Sequence, residues 1–205
     1  MTTINKQVSL GTDDCHEFDG TTLTTTGLSL QIGHNLGMYD GGIRWQSVAV
    51  PNSASITSAK LSLYRVSGTG SIVTVIKGVD EDNTATWSSG DRPSGRSKTT
   101  ANVSGDQADW NNWGTGVWID ISVTSIIQEI VNRGGWSTNN ALALVIEDWG
   151  SGTDYMYVRS YEYSDHSYAP KLDITFVGRT TRNARQSVSV HAGVLFQTLT
   201  SGHGY

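Results

Sequence analysis

The stretch from Val117 to Ile146 constrains the fold most, because it contains the only segment with a convincing helical pattern. Within residues 122–133, apolar side chains recur at three- and four-residue intervals, the spacing that places them on one face of a helix. These residues are Val123, Ile126, Ile127, Ile130 and Val131. Because the rest of the chain reads as strand and loop, we expect this helix to lie across a β structure or to close one end of it.

The ends of this helix also carry sequence signals. Asp120 or Ser122 is expected to cap its start, since a side-chain oxygen can accept from the free backbone N–H groups there. Gly134 suits the left-handed position that often ends a helix, and Arg133 would face the negative end of the helix dipole. An apolar run at residues 141–148 then predicts a buried strand.

The composition favours an all-β fold. The chain has 23 glycines but three prolines, and 16% of its residues are charged, which suits short strands joined by many turns. Residues 59–66 give the clearest half-buried strand, in which Lys60, Ser62 and Tyr64 point outward. Several such strands at turn-length spacing predict a two-sheet antiparallel sandwich with one short helix.

The last residues differ from the rest. We place a domain boundary between residues 1–176 and 177–205, because a polar linker precedes two short β-prone segments that could not be stable alone. This C-terminal arm has three arginines and no carboxylate, whereas the whole chain has a net charge of −5. We therefore expect the arm to contact an acidic surface of a partner or a second copy, with the arm folding back over its own sandwich as an equal alternative. The predicted contact residues are Arg179, Arg182, Arg185, Val188, Val190 and Phe196.

Two acidic clusters could in principle bind a metal. Residues 13–17 combine carboxylates, a thiol and an imidazole, but without a second ligand cluster of diagnostic spacing a solvated turn is the better interpretation. Asp80 and Asp82 could hold Ca²⁺, although the pattern of a calcium loop is absent and a solvated loop is again favoured. Cys15 is the only cysteine, so the chain has no internal disulfide.

The chain begins without an apolar signal segment and has no apolar run long enough to cross a bilayer. We therefore expect a protein made in a host cytoplasm, with no membrane contact. The negative net charge also argues against nucleic acid as a partner.

Several motifs resemble the DNRLRE-type β-sandwich domains, which are related to carbohydrate-binding jelly rolls. They are Gly42-Ile43-Arg44-Trp45, residues 56–61, residues 118–120, and the final pair of segments at 159–162 and 169–172. The helix with the Gly-Gly-Trp that follows it, residues 125–136, is similar to a variant found in phage and prophage structural proteins. The resemblance covers roughly residues 41–176. It implies a jelly-roll sandwich, and it does not imply an enzyme, since the shared residues resemble structural determinants.

Three classes of function remain open. The first is a bacteriophage virion protein, most simply a capsid decoration (cement) protein that forms a homotrimer and contacts the major capsid protein through its arm. The second is a carbohydrate-binding or adhesion module, with Trp110, Trp113 and Tyr157 as stacking residues. The third is an enzyme, and the absence of a catalytic motif argues against it.

Overall fold

The computed structural model describes residues 1–70, 72–104 and 114–178. These residues form twelve strands and one α-helix, α1 (Thr124–Val131). The strands are β1 (Thr2–Gln7), β2 (Asp14–Phe18), β3 (Thr22–Thr24), β4 (Ser29–His34), β5 (Met38–Trp45), β6 (Ser55–Gly68), β7 (Thr74–Val79), β8 (Lys98–Ser104), β9 (Val117–Ser122), β10 (Leu142–Asp148), β11 (Tyr155–Arg159) and β12 (Lys171–Val177). The all-β prediction is therefore confirmed.

The strands pair antiparallel in one hydrogen-bonded sheet that curls into a half-barrel. Its main path runs β1-β12-β6-β11-β4-β5-β10-β7-β8. The long strand β6 is the corner of this sheet. It bonds to β12 through its first part and to β11 through its last part, while β9 lies along its opposite edge. One continuous strand thus joins a four-stranded portion, β1-β12-β6-β9, to the rest of the sheet.

The main core lies inside the curl, where β6, β10 and β12 direct alternate apolar side chains towards α1. The predicted helical face is confirmed: Val123, Ile126, Ile127, Ile130 and Val131 are all fully buried. Removing this much apolar area from water is the main term that stabilises the curl, because each buried side chain of this size contributes about 1.5–3 kcal/mol.

The predicted capping of α1 is wrong. The residue before the helix is Val123, which has no side-chain oxygen, and no side chain caps the start. Asp120 instead accepts hydrogen bonds from the neighbouring strand, and Ser122 contacts Thr124. Gly134 does not adopt the left-handed conformation. By contrast, tertiary contacts satisfy the other end of the helix: the Asn52 amide and the Ser53 N–H both donate to the Val131 carbonyl.

The residues from Asp13 to Glu17 are not a solvated turn. They lead into and form β2, and Asp13, Asp14, Cys15 and Glu17 are all buried, because the loop at residues 80–97 covers this strand. A second, smaller core beneath that loop contains Cys15, Val79, Trp87, Ala143 and Val145. The apolar side chains of this smaller core explain why β10 is buried on both of its faces.

Partners from the covering loop satisfy the buried charges. The Glu17 carboxylate accepts from both the backbone and the hydroxyl of Ser94 and pairs with Arg92. Arg96 donates to the carbonyls of Ala85 and Thr86 and lies over the ring of Trp87. A buried charge is tolerated only when it is paired and hydrogen-bonded, so these contacts fix the loop over β2.

Candidate binding face

The outer face of β1-β12-β6-β9 is exposed and carries a row of polar side chains joined across the strands. Lys60, the centre of the row, pairs with Asp120 at 3.0 Å and with Asp173 at 3.6 Å. Ser62 donates to Asp120, and Asn5 donates to Asp173 at 2.6 Å. We call these five residues the polar row. Its side chains are outward-facing partners on adjacent strands, the arrangement that alternation along each strand produces.

The row contains one lysine and two aspartates, so its formal net charge is −1. The hydrogen bond to Asp120 raises the pKa of Lys60. Partial burial opposes ionisation of Asp120, but hydrogen bonds from Ser62 and Lys60 prevail and lower its pKa. The pairs therefore stay ionised over a wide range of pH, and the row presents rigid donors and acceptors with little net charge.

At one end the polar row meets a group of half-buried aromatic rings, which we call the aromatic cluster: Tyr64, Trp118, Tyr163 and Tyr168. Tyr64 and Trp118 are direct cross-strand partners on β6 and β9, with ring centroids 5.5 Å apart. The ring of Tyr168 lies 4.3 Å from that of Tyr64 and is stacked against Trp118 at 6.4 Å. Tyr163 joins through Tyr168 at 6.1 Å.

Two cations border the aromatic cluster. The Lys171 ammonium lies 4.0 Å from the centroid of the Trp118 ring, and the Arg159 guanidinium lies 3.6 Å from that of Tyr163. Cation–π contacts of this kind stabilise the rings in fixed positions at the surface. The result is an amphipathic platform in which fixed rings adjoin hydrogen-bonding side chains, the combination that sugar rings and protein partners both exploit.

Of the three residues predicted to stack on a glycan, the structure describes Tyr157. It lies on β11, two residues from Arg159, and its ring contacts Tyr155 rather than the aromatic cluster. Its hydroxyl bonds to the Gln31 side chain at 3.0 Å, and burial raises its pKa. Tyr157 therefore packs within the sheet surface, as aromatic cross-strand neighbours do. Trp110 and Trp113 fall outside the described residues.

The predicted contact residues of the arm also fall outside the described residues. They are Arg179, Arg182, Arg185, Val188, Val190 and Phe196. The structure does show where the arm begins: β12 ends at Val177, beside β1, with Phe176 opposite Thr2.

The possible Ca²⁺ ligands have a partner from the chain itself. Arg133 pairs with both Asp80 and Asp82. This ion pair connects the end of the helix region to the covering loop, and hydrogen bonds to both aspartates raise the pKa of Arg133. Among the residues that the structure describes, no group of three or more His, Cys, Asp or Glu side chains could hold a metal ion.

The aromatic cluster was missed from the sequence, although part of its signal was present. Tyr64 stands at an outward position of β6, and Trp118 stands at an outward position of the strand before the helix. No local sequence pattern shows that β9 pairs with β6 across more than fifty residues, or that Tyr168 packs onto both strands.

No model of a known protein family matches the chain, and no curated protein matches it. Within residues 1–70, 72–104 and 114–178, no helix is long and apolar enough to cross a membrane.

Proposed function

We propose that this chain is a non-enzymatic structural protein of a bacteriophage virion, a capsid decoration protein that binds the shell as a homotrimer. The resemblance of the helix motif to phage structural proteins supports the virion assignment. The geometry supports the mode of assembly, because the described fold leaves an open sheet edge where the C-terminal arm departs.

The strand β1 is an edge strand that another segment could extend. One of its edges pairs with β12 along its whole length, and no described strand pairs with the other edge. Three of its six residues are exposed and the other three are half-buried, so unpaired backbone donors and acceptors face solvent there. An extended segment can add to such an edge through main-chain hydrogen bonds. The arm begins at Val177, at the end of the strand that pairs with the opposite edge of β1.

The finer fold belongs to the same proposal. We infer that the curled sheet is a jelly roll, in which the portion β1-β12-β6-β9 faces the remaining strands across the main core. The bend of β6 between its two sets of neighbours supports this arrangement. The acidic side chain of Glu147 on β10 has structural partners. It pairs with Lys77 and Lys98, which supports a non-enzymatic role.

Mixed-isotope crosslinking tests arm exchange, in which the arm of one subunit adds to the β1 edge of another. Thr3→Cys would carry a benzophenone maleimide on β1, and Cys15 would stay unlabelled because it is fully buried. After equal amounts of ¹⁵N-labelled and unlabelled protein are mixed and illuminated, we expect crosslinks between residue 3 of one isotope and arm peptides of the other. Crosslinks confined to peptides of the same isotope would show that the arm folds back on its own body and would overturn the exchange.

The aromatic cluster favours a second candidate function, that of a carbohydrate-binding module. Its fixed rings could stack on sugar faces while the polar row hydrogen-bonds to hydroxyl groups. Three cations and two carboxylates lie on this face, Lys60, Lys171 and Arg159 with Asp120 and Asp173, so its net charge is only +1. It therefore fits a neutral glycan better than a highly charged one. The arm would then serve another purpose, or attach the module to a larger fibre.

Two substitutions in the aromatic cluster test this candidate. Trp118→Ala and Tyr168→Ala should each weaken binding to a neutral polysaccharide at least tenfold, because a lost ring contact costs about 0.5–1.5 kcal/mol beyond the lost buried area. Affinity electrophoresis in gels containing soluble cellulose, chitin or starch derivatives would measure this, with thermal melting as the check on folding. Tyr157→Ala is the matched control and should bind as the wild type does. No retention of the wild type on any of the three would exclude these glycans.

A further inference from the structure

Besides the bond from the Ser160 hydroxyl to the Gly27 carbonyl, hydrogen bonds near both ends attach the loop of residues 160–169, which supplies Tyr163 and Tyr168 to the aromatic cluster. Near its start, the Tyr161 backbone N–H donates to Asp14 Oδ2 at 2.8 Å. Near its end, the Gln7 amide donates to the carbonyls of His166, Ser167 and Ala169. The attachment through Tyr161 is the unusual one, because Asp14 is a fully buried carboxylate on β2.

A second carboxyl group faces Asp14. Glu162 lies within hydrogen-bonding range of Asp14, and one buried oxygen of each, Asp14 Oδ1 and Glu162 Oε2, receives no hydrogen bond from any donor. Two ionised carboxylates in contact inside a protein repel strongly. A single proton held between them removes that repulsion and gives both orphaned oxygens a partner.

We propose that Asp14 and Glu162 share one proton and that this shared proton is a pH-sensitive clasp, which holds residues 160–169 against β2 and releases them when it is lost. Release would withdraw Tyr163 and Tyr168 from Tyr64 and Trp118. The clasp therefore controls whether the aromatic cluster is complete, and its effect on ligand binding rests on the glycan-binding role proposed above for that cluster.

The surroundings of the pair favour the protonated form. Burial, and then the neighbouring Glu162, raise the pKa of Asp14 well above its ordinary value, and burial raises the pKa of Glu162 as well. Asp13 adds negative charge on one side, although Arg44 pairs with it. Hydrogen bonds from its own backbone N–H and from Ser160 favour ionised Glu162, with a smaller contribution from His166. The Cys15 thiol stays neutral, because burial raises its pKa.

The direction of the pH dependence follows from these shifts. The folded pair keeps a proton that the unfolded chain would release, so its stabilising effect is complete at low pH. The effect is lost as pH rises through the raised folded-state pKa. For a single proton, the population of the open loop should grow about tenfold for each pH unit above that value.

Hydrogen–deuterium exchange on the full chain tests the clasp without any glycan or partner. Exchange rates, corrected for the intrinsic effect of pH, would be followed in peptides covering residues 160–169 between pH 5 and pH 9. In the wild type we expect protection to fall about tenfold per pH unit over the upper part of this range. In Asp14→Asn and in Glu162→Gln, each of which makes one partner permanently neutral, we expect protection that no longer changes with pH.

Two controls separate the clasp from other titrations. Asp165→Asn changes an exposed carboxylate in the same loop and should keep the wild-type pH dependence. Asp40, whose pKa burial raises to about 6, accepts from the Asp148 N–H, so its titration should appear in peptides around residue 148.

The proposal is overturned if the wild-type loop shows no pH-dependent protection, or if Glu162→Gln retains the wild-type slope. Either result would leave the virion and glycan proposals standing, since neither depends on the clasp. Loss of glycan binding at all pH values, with the expected exchange behaviour intact, would instead overturn the function of the face alone.

Discussion

Replacing Ile127 by Asp is expected to leave the chain unfolded at 25 °C. Ile127 is fully buried on the inner face of α1. The substitution loses about 2–5 kcal/mol of packing and transfer free energy and adds the cost of a buried carboxyl group without a partner. Together these terms approach the whole stability of a typical domain, about 5–15 kcal/mol. Far-UV circular dichroism and urea unfolding would measure the effect.

Ser125→Asp is the matched control for this prediction. Ser125 is exposed in the first turn of the same helix, where a carboxylate meets the positive end of the helix dipole. The control should therefore be as stable as the wild type or slightly more stable. A folded Ile127→Asp protein with a urea midpoint close to that of Ser125→Asp would show that α1 does not pack on the core as described.

Replacing Asp13 by Ala is expected to destabilise the fold by about 3–5 kcal/mol, because it leaves the largely buried Arg44 guanidinium without its ion pair. Asp13 is 1% exposed and also accepts from the Gln46 amide at 2.6 Å. The free energy of unfolding from urea titrations would give the loss. Asp173→Ala, which removes a more exposed carboxylate from the polar row, should cost no more than about 1 kcal/mol.

A double substitution shows whether the unpaired charge is the cause. If it is, Asp13→Ala combined with Arg44→Met should be more stable than Asp13→Ala alone, because the second change removes the stranded cation. Additive losses would mean that Asp13 acts through packing or through Gln46, and that its pairing with Arg44 contributes little.

How far the sequence predicts this fold depends on the range of the interactions involved. The apolar face of α1 and the outward side chains of β6 were predicted correctly, because both follow from periodicity within a single element. The ends of α1 were not. Val123 precedes the helix without a capping side chain, and residues far away in sequence, Asn52 and Ser53, bond the Val131 carbonyl at the other end.

The segment from Asp13 to Glu17 shows the same limit more clearly. Its composition is that of a solvated turn, and it becomes a buried strand only because residues 80–97 bring Ser94 and Arg92 to Glu17, while Arg44 reaches Asp13 from the adjacent strand. Partners more than thirty residues away determine its burial, and no periodicity in the sequence reports them.

For the candidate binding face, the type of residue was predicted but its members were not. An aromatic platform was expected, and Tyr157 is the predicted stacking residue that the structure describes. The structure gathers Tyr64, Trp118 and Tyr168 instead, from two strands and a loop that are far apart in the chain. An alternating run identifies a strand face, but strand pairing decides which faces adjoin.

The mass of the chain in solution tests directly whether the chain assembles through its C-terminal arm. Light scattering on a sizing column would compare the full chain with a chain that ends at Gly178, the last residue described beside β1. We expect the full chain at three times its 22.1 kDa mass and the shortened chain as a folded monomer. A shortened chain that remains a trimer, or a full chain that remains a monomer at high concentration, would contradict arm-dependent assembly.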